Sequence, residues 1–74
     1  MQQEQLCELV SSAIGVERSS IDIETKSMDF PEWDSLGHIS ILMAIQEHFG
    51  ESFQEDPALA SAVSVKELYE VLQR

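Results

Sequence analysis

Leu6, Leu9, Val10, Ala13 and Ile14 recur at the i, i+3, i+4, i+7, i+8 spacing that lines one side of an α-helix, with Gln and Glu on the other side. This stripe predicts a helix over residues 2–14, closed by Gly15 as the residue past the last turn. Cys7 falls at the edge of the stripe and reads as a small, half-buried hydrophobe, with no cationic neighbour to activate a thiolate. Residues 16–33 hold neither a helical nor an alternating period. Val16, Ile21, Ile23, Met28, Phe30 and Trp33 punctuate this polar stretch, which predicts a long loop that wraps the helices and pins itself by those side chains. Pro31 argues against helix just before it.

The strongest helical pattern covers residues 34–49, with Asp34 as N-cap and Phe49-Gly50 as its ending. Asp56 as a second N-cap, with Pro57 in the first turn, opens a short helix through about Ala62. Ser64 and Glu67 have the spacing of a capping box and start a final helix that buries Val65, Leu68 and Leu72, with Val71 and part of Tyr69. The expected fold is all-α: a four-helix bundle with three main helices, one short third helix and a long first loop, in a single domain over residues 1–74.

The middle helix differs from the others in carrying two apolar faces. At about 100° per residue, His38, Ile41, Leu42, Ile45 and Phe49 share one side, expected to face the core. Leu36, Ile39 and Met43 lie nearly opposite, among Ser40, Gln46 and Glu47. A helix of so small a domain is not expected to be covered on all sides. The second stripe therefore reads as a partly exposed surface for another protein, with Leu36, Ile39 and Met43 as anchors.

Composition narrows the choice of partner. The chain has 74 residues, 14 acids and 4 bases, for a formal net charge of −10. From Glu17 to Asp56 there are ten acids and two bases, so this middle stretch carries −8 of the −10. Such a surface repels nucleic-acid phosphates and anionic membranes and suits proteins with basic docking surfaces. The single cysteine allows no internal disulfide, the polar N-terminus does not read as a signal peptide, and no apolar run has the length of a membrane span. A cytoplasmic location is expected.

Chemistry concentrates at Asp34, Ser35 and His38. A hydrolytic Ser–His pair is a poor match: His38 points to the core side, Asp34 serves as a cap, and the G-x-S-x-G elbow is missing. A calcium loop started at Asp22 puts Lys26, Ser27 and Trp33 where an oxygen donor, a glycine and a glutamate are needed. One Cys and two His give no zinc spacing. No catalytic residue and no metal ligand is assigned, and the chain is expected not to be an enzyme.

The stretch DSLGHISILMAIQEHFG, residues 34–50, resembles the attachment motif and second helix of acyl carrier proteins. The length, the acidity, the long first loop, the short third helix and the SVKELYEVL segment are similar as well, so the resemblance covers essentially the whole chain. It implies a stand-alone carrier that bears 4′-phosphopantetheine on Ser35, flanked by Asp34 and Leu36, and holds acyl groups as thioesters. It further implies docking through Leu36, Ile39, Met43 and Glu47 to a phosphopantetheinyl transferase and to acyl-loading and acyl-using enzymes, with the carrier a monomer. A phosphodiester on Ser35 suits a helix N-terminus, where amides and the helix dipole favour negative charge.

Gly37 stands where fatty-acid carriers commonly have an acid, and it reads as leaving space near the arm. Ser40, Gln46 and His48 also occupy positions that are often acidic there, the charge lying instead in the loop and at Glu51, Glu55 and Asp56. These departures point to a dedicated biosynthetic pathway, for a polyketide, a nonribosomal peptide, or a modified amino acid or sugar, rather than housekeeping fatty-acid synthesis. An aminoacyl carrier of the D-alanyl or peptidyl type is an alternative. So is an acidic helical adaptor without a prosthetic group.

Overall fold

A computed structural model describes residues 2–49 and 57–73, apart from the Phe49 side chain. Its described residues form four α-helices: α1 (Gln3–Ile14), α2 (Ser35–Phe49), α3 (Pro57–Ser61) and α4 (Val65–Leu72). No strand occurs among them. The all-α expectation therefore holds, and the helix starts and ends match the sequence pattern within a residue or two. Gly50 and Asp56, read as a helix end and a cap, lie outside the described residues, as do Glu51 and Glu55.

Local chemistry sets the helix ends. Gly15 adopts φ 75°, a left-handed conformation that a side chain disfavours. Its amide and that of Val16 both donate to the Ser11 carbonyl at 3.0 Å, which ends α1. At α4 the Ser64 Oγ accepts from the Glu67 amide at 3.1 Å. The return bond differs from the simple capping box: Glu67 Oε2 accepts from the Val63 amide and from the Ser64 hydroxyl, each at 3.1 Å. The carboxylate thus reaches one residue further back, and the same Val63–Ser64 segment is also bonded to the long loop. Ser27 N–H donates to the Val63 carbonyl at 2.8 Å and Val65 N–H to the Thr25 carbonyl at 3.0 Å, around an antiparallel bridge between Lys26 and Ser64.

One continuous core joins the elements. Leu6 and Val10 of α1, Ile41 and Ile45 of α2, and Val65 and Leu68 of α4 are almost fully buried, and the loop adds Ile21. Burial of a side chain of this size is worth about 1.5–3 kcal/mol, so Ile21 anchors the loop as firmly as a helix residue anchors its helix. Trp33 is also buried, while Val16, Ile23 and Phe30 pack partly against the core. Met28 does not. It is 83% exposed, because it sits in a 3-10 turn, Ser27–Asp29, whose backbone bonds turn its side chain outward. Cys7 departs in the opposite sense and is buried outright. Desolvation, the largest influence, pushes its thiol above the usual value, and Arg18, a cationic neighbour that the sequence did not reveal, pulls the other way without reversing it.

The loop's order comes from short-range hydrogen bonds rather than periodicity. Asp22 Oδ1 accepts from the Glu24 amide at 2.8 Å, and Thr25 Oγ1 accepts from the Asp22 amide at 2.9 Å. Arg18 Nη1 donates to the Ile21 carbonyl at 2.9 Å. Two 3-10 turns, Arg18–Ser20 and Ser27–Asp29, occupy a stretch in which the sequence shows no period.

Candidate functional site at the start of the second helix

The loop delivers Trp33 to the core and Asp34 to the first turn of α2. Asp34 Oδ1 accepts from the Gly37 amide at 2.9 Å, the bond expected of an N-cap. Ser35 is the first residue of α2 and is exposed, as are Asp34 and Leu36. First-turn amides of a helix lack intrahelical acceptors. Asp34 takes only that of Gly37, so the Ser35 end of α2 keeps a local positive potential.

Gly37 has a different role from the one expected. A Cβ at this position would overlap the carbonyl oxygen of Glu32 and crowd the Ile14 side chain. The space beside the glycine is filled by the incoming loop, not held open for an arm. A residue with a side chain would push the loop outward just before it reaches Ser35.

His38 is fully engaged. The Trp33 indole Nε1–H donates to His38 Nδ1 at 3.0 Å. An indole nitrogen can only donate, so Nδ1 is the acceptor and Nε2 carries the ring hydrogen. That nitrogen lies 2.9 Å from the Leu59 carbonyl in α3, to which it donates. Neither ring nitrogen bonds Ser35, which leaves the serine without a histidine base in this arrangement. Among the described residues no group of three His, Cys, Asp or Glu side chains could hold a metal ion.

Beside Ser35 lies an open groove of about 460 Å³. It is lined by Trp33, Asp34, His38 and Ile39 from the α2 side and by Ala60, Ser61, Ala62 and Val63 from α3 and the α3–α4 connection, with Ser27 of the loop. The second side was not legible in the sequence, since nothing there places the α3–α4 connection opposite Ser35. The Trp33–His38 bond did leave a signal: a buried indole needs an acceptor, and a histidine on the core side of the next helical turn can supply one.

The apolar surface around the groove is extensive. Leu36 is 75% exposed, Ile39 51% and Met43 59%, along the side of α2 opposite Ile41 and Ile45. Glu47 is exposed further along α2. Met28 and Val63, the latter 55% exposed, add apolar area where the loop meets the α3–α4 connection. No helix among the described residues is long and apolar enough to cross a membrane. Compared with known protein families, curated proteins and solved structures, the chain matches none of them.

Proposed function

We propose that this chain is an acyl carrier protein, folded as a carrier-type four-helix bundle and modified with 4′-phosphopantetheine on Ser35. The observation that supports this best is the placement of Ser35. An exposed hydroxyl begins a helix, follows a capping carboxylate and borders an open groove. A phosphodiester here gains from the helix N-terminus, and Asp34 does not block it because its carboxylate is turned to the Gly37 amide. In the modification the Ser35 oxygen loses its proton to the transferase and bonds to the phosphorus of the pantetheine phosphate of coenzyme A. Adenosine 3′,5′-bisphosphate leaves. Once attached, the arm supplies a terminal thiol for thioester chemistry.

The chain's own residues then bind and present. Leu36, Ile39 and Met43 offer apolar contact, and Glu47 and the loop acids attract basic partner surfaces. Met28 and Val63 extend the same surface across the groove. The departures from fatty-acid carriers at Gly37, Ser40, Gln46 and His48 favour a dedicated pathway. The test is intact mass after incubation with coenzyme A and a phosphopantetheinyl transferase. One phosphopantetheine addition, lost in Ser35→Ala, is the expected result. No addition, under conditions that modify a control carrier, leaves the acidic adaptor as the better reading.

A further inference from the structure

We infer that His38 is a positioning residue for the Ser35 junction, holding the Asp34–Ser35 turn and the two walls of the adjoining groove in register through Trp33 and Leu59. The inference rests on the carrier reading for the reaction that it serves. Its geometry stands independently. Trp33 lies two positions before Ser35 and is 5% exposed. The indole and imidazole planes are within 14° of each other with centroids 6.2 Å apart. Together with the 3.0 Å bond between their nitrogens, this makes the two rings meet edge to edge in nearly one plane. The far nitrogen of the imidazole reaches Leu59. One side chain thereby ties together the end of the loop, the first turn of α2 and α3.

These three segments carry the groove and the serine. Ile39 follows His38 on one wall, and Ala60 follows Leu59 on the other. On the loop side, Trp33 is the last buried residue before Ser35. Without an acceptor its N–H would be left buried and unsatisfied, and the loop could relieve this only by moving. Asp34 and Ser35 would move with it. Misplacing a reacting group by about an ångström can cost on the order of 100-fold in rate.

Side-chain chemistry separates this role from simple packing. A glutamine at position 38 offers an acceptor oxygen and a donor nitrogen on one amide, and so can serve both Trp33 and Leu59. A leucine fills similar space and serves neither. The experiment uses unmodified wild type, His38→Gln, His38→Leu and Trp33→Phe. Each is assayed with coenzyme A and a phosphopantetheinyl transferase while the carrier concentration is varied. In parallel, proton–nitrogen spectra record the Trp33 indole N–H and the His38 ring nitrogens.

The wild type should show a slowly exchanging indole N–H and a neutral His38 protonated on Nε2. His38→Leu should lose about tenfold or more in kcat with a smaller change in KM, as expected for a misplaced reacting group. His38→Gln should recover most of that loss, and Trp33→Phe, which removes one donor but keeps a ring, should fall between. A folded His38→Leu variant with wild-type kcat overturns the inference and reduces the bonds to packing. If His38→Leu does not fold, Trp33→Phe decides, and a wild-type kcat there overturns the inference equally. Wild type that is never modified sinks the carrier reading and the positioning role with it. Wild type modified normally, with variants indistinguishable from it, sinks the positioning role alone.

Discussion

Ile45 and Met43 stand two residues apart on α2, yet the first is 1% exposed and the second 59%. Both are large and apolar, so composition does not distinguish them. Their angular position does. Ile45 shares its side with Ile41 and packs into the core, whereas Met43 continues the outer stripe from Leu36 and Ile39. The two faces of one helix therefore differ: one holds the fold and the other is left exposed. The helix can be apolar on both sides because only one side has to be covered for the domain to fold.

The largest test of this contrast is truncation. Ile45→Ala should cost about 2–5 kcal/mol, the usual range for emptying a buried aliphatic site. Met43→Ala should stay within about 0.5 kcal/mol, as surface changes do. Chemical denaturation of both variants gives the comparison directly. Met43→Ala should instead slow modification by the transferase, and Glu47→Lys should slow it most at low salt. Equal loss of stability in the two alanine variants would place Met43 in the core and remove the docking face.

A smaller effect is expected where α2 meets the loop. Gly37→Ala should gain about 1 kcal/mol in helix propensity, but the new methyl group collides with the Glu32 backbone. Backbone gives way less readily than a side-chain tip, so a net loss of about 1–2 kcal/mol is expected from overpacking. A stabilised Gly37→Ala variant would show that the loop shifts freely. Asp34→Ala loses the Gly37 cap bond and should cost about 0.5–2 kcal/mol. Thermal melts at matched buffer rank the two.

How much of this was legible in the sequence depended on what generates each feature. The helices were legible because burial on one side imposes a repeating pattern: Leu6, Val10 and Ile14 announce α1, and Val65, Leu68 and Leu72 announce α4. Asp34 was legible as a cap because capping uses few residue types at fixed spacing. The loop was legible only as a sum of anchors, and Met28 was read wrongly, since hydrophobicity alone cannot tell which side of a 3-10 turn faces out. The groove was not legible at all. Its far wall comes from the α3–α4 connection, and the bonds that bring it there run between backbone groups of Ser27, Val63, Thr25 and Val65, which leave no mark in residue type.

A chemical version of the same inside–outside contrast uses Cys7. Burial raises its pKa, so the folded state resists forming the thiolate. A group whose folded pKa is raised contributes stability that is present below its unfolded pKa and is lost as pH rises through the folded value. The fold should therefore weaken on the alkaline side of the usual thiol range, and Cys7→Ala should be less sensitive there. Native Cys7 should also react slowly with iodoacetamide at neutral pH, while Met43→Cys in a Cys7→Ala background reacts at the rate of an open thiol. Fast alkylation of native Cys7 would show that α1 opens readily.

The smallest effect on the fold is expected at Ser35 itself. Ser35 is exposed, its hydroxyl has no hydrogen-bond partner among the described residues, and Asp34 makes the capping bond. Ser35→Ala should consequently leave stability within about 0.5 kcal/mol of wild type and keep the same helical circular dichroism. It should nonetheless abolish phosphopantetheine addition, since among the described residues no other serine is the first residue of an α-helix. Ser35→Thr sharpens the point: it keeps a hydroxyl on a branched carbon, so slow modification rather than none is expected if access to the oxygen is the limit. A melting temperature that falls in Ser35→Ala as far as in Asp34→Ala would make the hydroxyl a structural cap, and its exposure alone would then say nothing of attachment.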